Sequence, residues 1–294
     1  MTEKDITALY YCIDEFCKIY ETWERMSLIP RLGRRRREGK LSLSEKLFIL
    51  ILYHFSGFKT FKLFYEYGLK SKYRRCFKEL PSYERFVQIK KELFLPLSLL
   101  IQSLMGEESG LYIADSTTLK VCHNRRINQH KVFKHLAARC KSSMGWFYGF
   151  KLHVVINDKG ELMAVKITSG NTDDRSVLDT LTESLKGKVF ADKGYISKEL
   201  FNSLWKRGLH LITGIKKNMK NHLMPLLDKM RLRGRFIVES VFNIMKNNMN
   251  LEHSRHRSTI NFCINVLAAL VAYSFRKNKP AWKNLAKNKN ISYP

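Results

Sequence analysis

The chain has 294 residues, 45% of them hydrophobic and 12% aromatic, and a formal net charge of +27. That length allows one large domain or two ordinary ones, and that apolar content builds a core, which excludes a disordered tail. So much positive charge calls for a polyanionic partner, nucleic acid first and an anionic membrane surface second.

Met1 to Asp5 leads into an acid-containing helix rather than an apolar segment with basic flanks, so no secretion signal is expected. The apolar runs Leu47 to Phe55 and Cys263 to Phe275 are too short to span a bilayer and read as buried helices. The expected setting is cytoplasmic, with no membrane partner. Cys12, Cys17, Cys76, Cys122, Cys140 and Cys263 form no CxxC pair, which fits reduced thiols. Cys122, His123, His130, His135 and Cys140 match none of the usual zinc spacings.

Residues 1 to 105 read as helical. Ile6, Leu9, Tyr10, Ile13, Phe16, Cys17 and Tyr20 recur with helical period. The basic linker Arg34-Arg35-Arg36-Arg37 follows; it is either a solvated charge run or a contact to a DNA backbone, which needs charge but little geometry. Ser42 and Glu45 form a capping box that opens a helix to about Phe55, and Gly57 breaks it. Further short helices carry Phe58, Phe61, Phe64 and Tyr65, then Phe86, Ile89 and Leu93. Short helices, tight turns and basic residues resemble a helix-turn-helix module, or else a helical domain for oligomerisation.

From Gly110 the pattern changes to strands. Leu111 to Ala114 is a short apolar strand ending at Asp115. Cys122 to Trp146, with Arg125 and Arg126, reads as an irregular DNA-facing loop with room for a short helix. Phe147 to Ile156 and Leu162 to Thr168 form a hairpin around Asn157-Asp158-Lys159-Gly160. Asp173 or Asp174 caps the next helix, whose buried side is Val177, Leu178, Leu181 and Leu185; in that capping context neither is taken as a catalytic acid. Lys188 to Ala191 is a strand ending at Asp192, Ser197 caps another helix, and Leu209 to Ile215 is the last strand. Antiparallel strands followed by alternating units predict an α/β fold, a mixed sheet flanked by helices. Arg235 to Lys246 is expected as one helix. Val238, Val241, Phe242, Met245 and Met249 form its apolar stripe, and Arg235, Glu239, Asn243 and Lys246 share another face. The end, Lys277 to Pro294, is expected to fray.

Three acids stand out. Asp115 and Asp192 each terminate a strand. Glu239 is one of only three acids after Leu200, in a stretch crowded with Lys and Arg. It is either ion-paired with Arg235 and Lys246 or a metal ligand within a phosphate-holding surface. Hard carboxylate oxygens suit Mg²⁺ or Mn²⁺, and two such ions about 4 Å apart drive in-line phosphodiester displacement.

The sequence resembles the DDE transposases of bacterial insertion sequences, nearest to the insertion-sequence-982 family and related to the insertion-sequence-4 and -5 transposases. The residues that carry this are Ile113-Ala114-Asp115-Ser116, Lys141 to His153, Gly170 to Asp174, Ala191-Asp192-Lys193-Gly194-Tyr195, and Arg235 to Lys246. The resemblance implies a ribonuclease-H-like core over residues 106–280, after a helical DNA-binding or oligomerisation region over 1–105 and before a basic tail, 281–294. It implies Asp115, Asp192 and Glu239 as the triad holding Mg²⁺ or Mn²⁺, with two ions. Related transposases carry Tyr-x2-Arg-x3-Glu-x6-Lys around the catalytic Glu; Arg235, Glu239 and Lys246 match it, while Leu232 stands at the Tyr position. Arg235 and Lys246 would then contact DNA phosphates. Lys193 either touches DNA or is solvated, and His153 is read as a satisfied core histidine. The implied activity is cleavage at the ends of a mobile element and transfer of the 3′-hydroxyl to target DNA, by a homodimer or higher oligomer associated with the nucleoid. A nuclease or resolvase that does not join, or an inactive DNA-binding derivative, are the alternatives.

Overall fold

The computed structural model describes residues 2–27, 39–142, 145–219, 223–252 and 256–282. Arg34, Arg35, Arg36 and Arg37, expected to touch DNA, lie outside the described residues. In chain order the helices α1 (Glu3–Met26), α2 (Leu43–Phe55), α3 (Phe61–Leu63), α4 (Tyr83–Ile89) and α5 (Phe94–Ser103) come first. Strands β1 (Leu111–Cys122), β2 (Ala138–Ser142), β3 (Gly145–Asn157) and β4 (Leu162–Ser169) follow. Then come α6 (Asp174–Leu181), β5 (Gly187–Ala191), α7 (Lys198–Lys206), β6 (Leu209–Thr213), α8 (Leu226–Arg233), α9 (Ile237–Asn243) and α10 (Thr259–Ser274).

By packing, the chain divides into two units. One holds residues up to Leu104 together with Met245–Glu252 and His256–Arg276; the other is centred on Met105–Ile244. The helical unit begins with two capping boxes, Thr2 with Asp5 and the expected Ser42 with Glu45. Each box satisfies orphan N–H groups at a helix start. Leu9, Ile13, Cys17 and Tyr20 give α1 its buried stripe. Helix α2 is apolar nearly all round, and Leu47 to His54 are buried without interruption. It packs against α10, which is equally apolar from Ile264 to Tyr273. Two helices without a polar face must cover each other, which explains why α10 joins the N-terminal helices. The sequence reading had placed it with the sheet. Among the described residues no helix is long and apolar enough to cross a membrane.

The second unit is a six-stranded mixed sheet. Strand β1 lies between antiparallel β3 and parallel β5, and β6 continues in parallel beyond β5. The outer edge of β3 is shared: Gly145 to Gly149 pair with β2 and Phe150 to Ile156 with β4. The order β4-β3-β1-β5-β6 is the ribonuclease-H-like sheet. Helices α6 and α7 cover Tyr112, Ala114, Val155, Val189, Ala191 and Leu211 with Leu178, Leu200 and Leu204. Helix α8 packs on β5 and β6, and α9 on β1.

Three expectations need correction. Strand β1 does not stop at Asp115 but runs on to Cys122, because β3 supplies a ladder partner along that whole length. Thr117 and Thr118 suit that pleated surface. The stretch read as an irregular loop with room for a short helix has that helix, a 3₁₀ turn over Asn124–Gln129, but it also contains strand β2, which pairs with β3 alone and is too short for period to reveal. The chain after Lys277 is anchored at least to Trp282. Its backbone N–H donates to Asp158 O at 2.8 Å, its indole N–H donates to Gly234 O at 3.0 Å, and its ring meets Phe190 edge-on at 5.2 Å.

Gly149 marks the tightest backbone approach in the sheet: a Cβ there would collide with the Leu119 carbonyl across the β1–β3 ladder. Gly149→Ala is expected to lower stability by about 1–3 kcal/mol, the usual cost of overpacking, seen as a lower denaturant midpoint. An unchanged midpoint would mean that the ladder yields at this point.

Candidate active site

Parallel pairing sets the site. Leu111, Tyr112 and Ile113 on β1 face Lys188, Val189 and Phe190 on β5. Carrying that register two residues further puts Asp115 beside Asp192, the first residue after β5. Ser116 N–H donates to Asp115 Oδ1 at 2.8 Å. Burial pushes the Asp115 carboxyl up to about 6; Asp192 and Asp174 push the same way, while the Ser116 N–H and Arg235 oppose them. Asp192 is exposed and accepts from Arg235 Nη2 at 2.8 Å.

The helix expected from Arg235 to Lys246 changes pitch twice. It is 3₁₀ over Gly234–Phe236, α over Ile237–Asn243 and π over Ile244–Asn248. Val238, Val241, Phe242, Met245 and Met249 are all buried, as their spacing required. Glu239 is exposed and lines an open cleft with Asp192, Lys193, Gly214, Leu232, Arg233, Arg235 and Phe236. The cleft thus holds two of the expected acids, the expected phosphate contacts Arg235 and Lys193, and Leu232 at the departed Tyr position. Glu239 is not neutralised by Arg235 or Lys246. Arg235 turns to Asp192, and Lys246 pairs with Glu252 at 3.2 Å.

Asp115, Asp192 and Glu239 share this neighbourhood without closing around one point: among the described residues no three His, Cys, Asp or Glu side chains gather as a metal-holding group. The donors that are present fit a hard divalent cation. Asp115 and Asp192 are adjacent carboxylates that repel each other, and a cation between them would relieve that repulsion.

Asp174 is the residue the sequence reading set aside. Asp173 is the helix cap, accepting from Arg175 N–H and ion-paired to the Arg175 guanidinium. Asp174, one step on, turns inward instead. It accepts from Ser116 Oγ at 3.1 Å and from Lys151 Nζ at 3.0 Å, and it lines a small pocket with Asp115, His153 and Tyr195. His153 Nε2 is 2.8 Å from Thr168 Oγ1 and Nδ1 is 3.7 Å from Asp174, which agrees with a satisfied core histidine. Burial lowers its pKa and raises that of Tyr195. The signal for Asp174 was its place beside a cap, since only one of two consecutive acids can cap.

Arg125 and Arg126 are exposed in the 3₁₀ turn after β1. Cys122 is seven residue steps along β1 from Asp115, so Arg125 and Arg126 stand beyond a point roughly 20 Å along the strand from that acid. They do not line the cleft. Near that end Arg139 lies over the exposed Trp146 ring at 4.9 Å.

The sheet thus carries one acid on β1 and a second just past the end of β5. The transposase DDE domain family matches residues 105–259. The chain belongs to the DDE transposases. No protein of curated function matches it. Among solved structures, the piggyBac transposase synaptic complex with hairpin DNA is similar at 11% identity and a TM-score of 0.48, over 82% of this chain and 68% of that one. The Mos1 mariner paired end complex with Mn follows at 11% identity and a TM-score of 0.24, over 94% and 98%.

Asp115 binds its proton more tightly folded than unfolded, where its value is 3.8. Its ionisation therefore opposes folding, increasingly as pH rises from about 4 through 6. Asp115→Asn is expected to melt higher than wild type at pH 7.5 without divalent metal, by an amount on the order of 1–3 kcal/mol. Near pH 4 the two should converge. A variant that melts lower at pH 7.5 would show that the charge is already compensated.

Proposed function

We propose that this chain is the transposase of a bacterial insertion sequence of the insertion-sequence-982 kind. It cuts DNA at the element ends and transfers the freed 3′-hydroxyl into target DNA. The observation that supports this reading is that the parallel pairing of β1 with β5 brings Asp115 on β1 next to Asp192, just past β5, within the matched domain and beside a cleft that Asp192 and Glu239 line.

Asp115, Asp192 and Glu239 would hold Mg²⁺ or Mn²⁺, two ions in the full site. Bound there, such ions supply an activated water or 3′-hydroxyl and stabilise the leaving oxygen of an in-line displacement. The chain's own residues do the rest. Asp115 is anchored by the Ser116 N–H. Arg235 and Lys193 bring positive charge to the cleft, where they would hold phosphates beside the reacting bond. Lys246, Arg125, Arg126 and the run Arg34, Arg35, Arg36 and Arg37 are read as further backbone contacts. The nucleophile is water or a DNA hydroxyl, so no covalent protein–DNA intermediate is expected. In this reading residues 1–105 bind the element ends or hold subunits together, 106–280 are catalytic and 281–294 form a basic tail. A homodimer or higher oligomer, cytoplasmic and on the nucleoid, would hold both ends at once.

The test is cleavage of labelled DNA carrying the flanking element end, with Mg²⁺ or Mn²⁺. Wild type should cut at the end and yield joined products, and Asp192→Asn should lose more than about 100-fold of that activity. Cutting without joining would make the chain a nuclease. Retarded DNA that no metal allows to be cut would make it a binding protein, and equal cutting by the variant would exclude Asp192.

A further inference from the structure

The ion pair between Arg235 and Asp192 lies where two ligands of opposite charge would meet. Among the described residues it is the one ion pair Asp192 makes. Lys193 lines the same cleft, yet the carboxylate takes the guanidinium. The two side chains stay 34% and 51% exposed, so a hydrated cation and a DNA phosphate can both reach them. The backbone beside Arg235 is held, because the Trp282 indole donates to the Gly234 carbonyl at 3.0 Å. The guanidinium can therefore change partner by side-chain rotation alone.

Asp192 Oδ1 cannot be given fully to Arg235 and to a divalent cation together. A cation on Asp192 would also face Arg235 as a like charge at close range. A guanidinium freed in this way finds its best remaining partner in a phosphate, which matches its planar fork of donors.

Resting on the metal and DNA reading above, we propose that Arg235 is an exchangeable counter-ion. It neutralises Asp192 until a divalent cation takes that carboxylate, and it then grips a DNA phosphate in the same cleft. Cation binding and DNA binding thereby strengthen each other through one positioning side chain, and the coupling is reciprocal. The arrangement keeps Asp192 compensated in the metal-free protein and reserves the strongest phosphate grip for the loaded site.

The test uses the full chain without turnover. Mn²⁺ is titrated calorimetrically into wild type, Arg235→Gln, Arg235→Lys and Asp192→Asn, with melting in EDTA as the folding control. Arg235→Gln should bind Mn²⁺ about two- to five-fold more tightly than wild type, the range an exposed ion pair allows. Arg235→Lys, which keeps the charge, should fall between them. A labelled mixed-sequence duplex is then bound in EDTA and in Ca²⁺. Ca²⁺ should tighten wild-type binding by a similar factor, and that gain should vanish in Arg235→Gln. Unchanged or weaker Mn²⁺ binding by Arg235→Gln, or an undiminished Ca²⁺ gain, overturns the exchange while leaving the metal site standing. Wild type binding Mn²⁺ no better than Asp192→Asn overturns the metal reading, and the exchange with it. If Arg235→Gln does not fold, Arg235→Lys decides: Mn²⁺ affinity above wild type supports exchange, and equal or lower affinity overturns it.

Discussion

Parallel pairing of β1 with β5 sets two carboxylates side by side, one of them buried, and the polar groups around them answer the negative charge gathered there. Burial is the main cause that raises the proton affinity of Asp115, the more buried of the two, and the Asp192 charge adds to it. The compensation is local. Arg235 reaches Asp192 from the turn before α9, and Lys151 on β3 neutralises Asp174 behind Asp115. Ser116 ties the two sides together, its N–H on Asp115 and its hydroxyl on Asp174. Each of these groups reaches its partner because the sheet fixes strand spacing and register to within a side-chain length.

The sheet's helices serve that register. The apolar side chains of α6 and α7 hold one face of β1 and β5. Trp282 adds a clamp, with its ring on Phe190 two residues before Asp192 and its indole N–H on the residue before Arg235. One aromatic near the end of the chain therefore fixes the strand that carries an acid and the turn that carries its cation. The helical unit is built on a different logic. Its α2 and α10 have no polar face and stabilise each other by mutual burial.

The large positive charge is not spread as uniform background. Arg235 and Lys193 are in the cleft with Asp192 and Glu239, whereas Arg125 and Arg126 stand beyond the far end of β1. Cationic side chains therefore stand both in the cleft with the acids and well away from them along β1.

Local rules were enough for much of this. The capping box of Ser42 with Glu45, the hairpin around Asn157 to Gly160, the buried stripe of Val238, Val241 and Phe242, and the strand that stops just before Asp192 all follow from period, caps and turn residues within a few positions. The order of motifs along the chain pointed to the family. Where the chain pairs with something distant, the sequence was silent. The full length of β1 and the existence of β2 depend on β3 as a partner. The place of α10 depends on α2, and the anchoring of Trp282 on Phe190 and Gly234. The inward turn of Asp174, and the choice of Asp192 rather than Glu239 by Arg235, were decided only in three dimensions. Charge and spacing state what a side chain can bind, but which partner comes within 3 Å is set by strand register and helix packing.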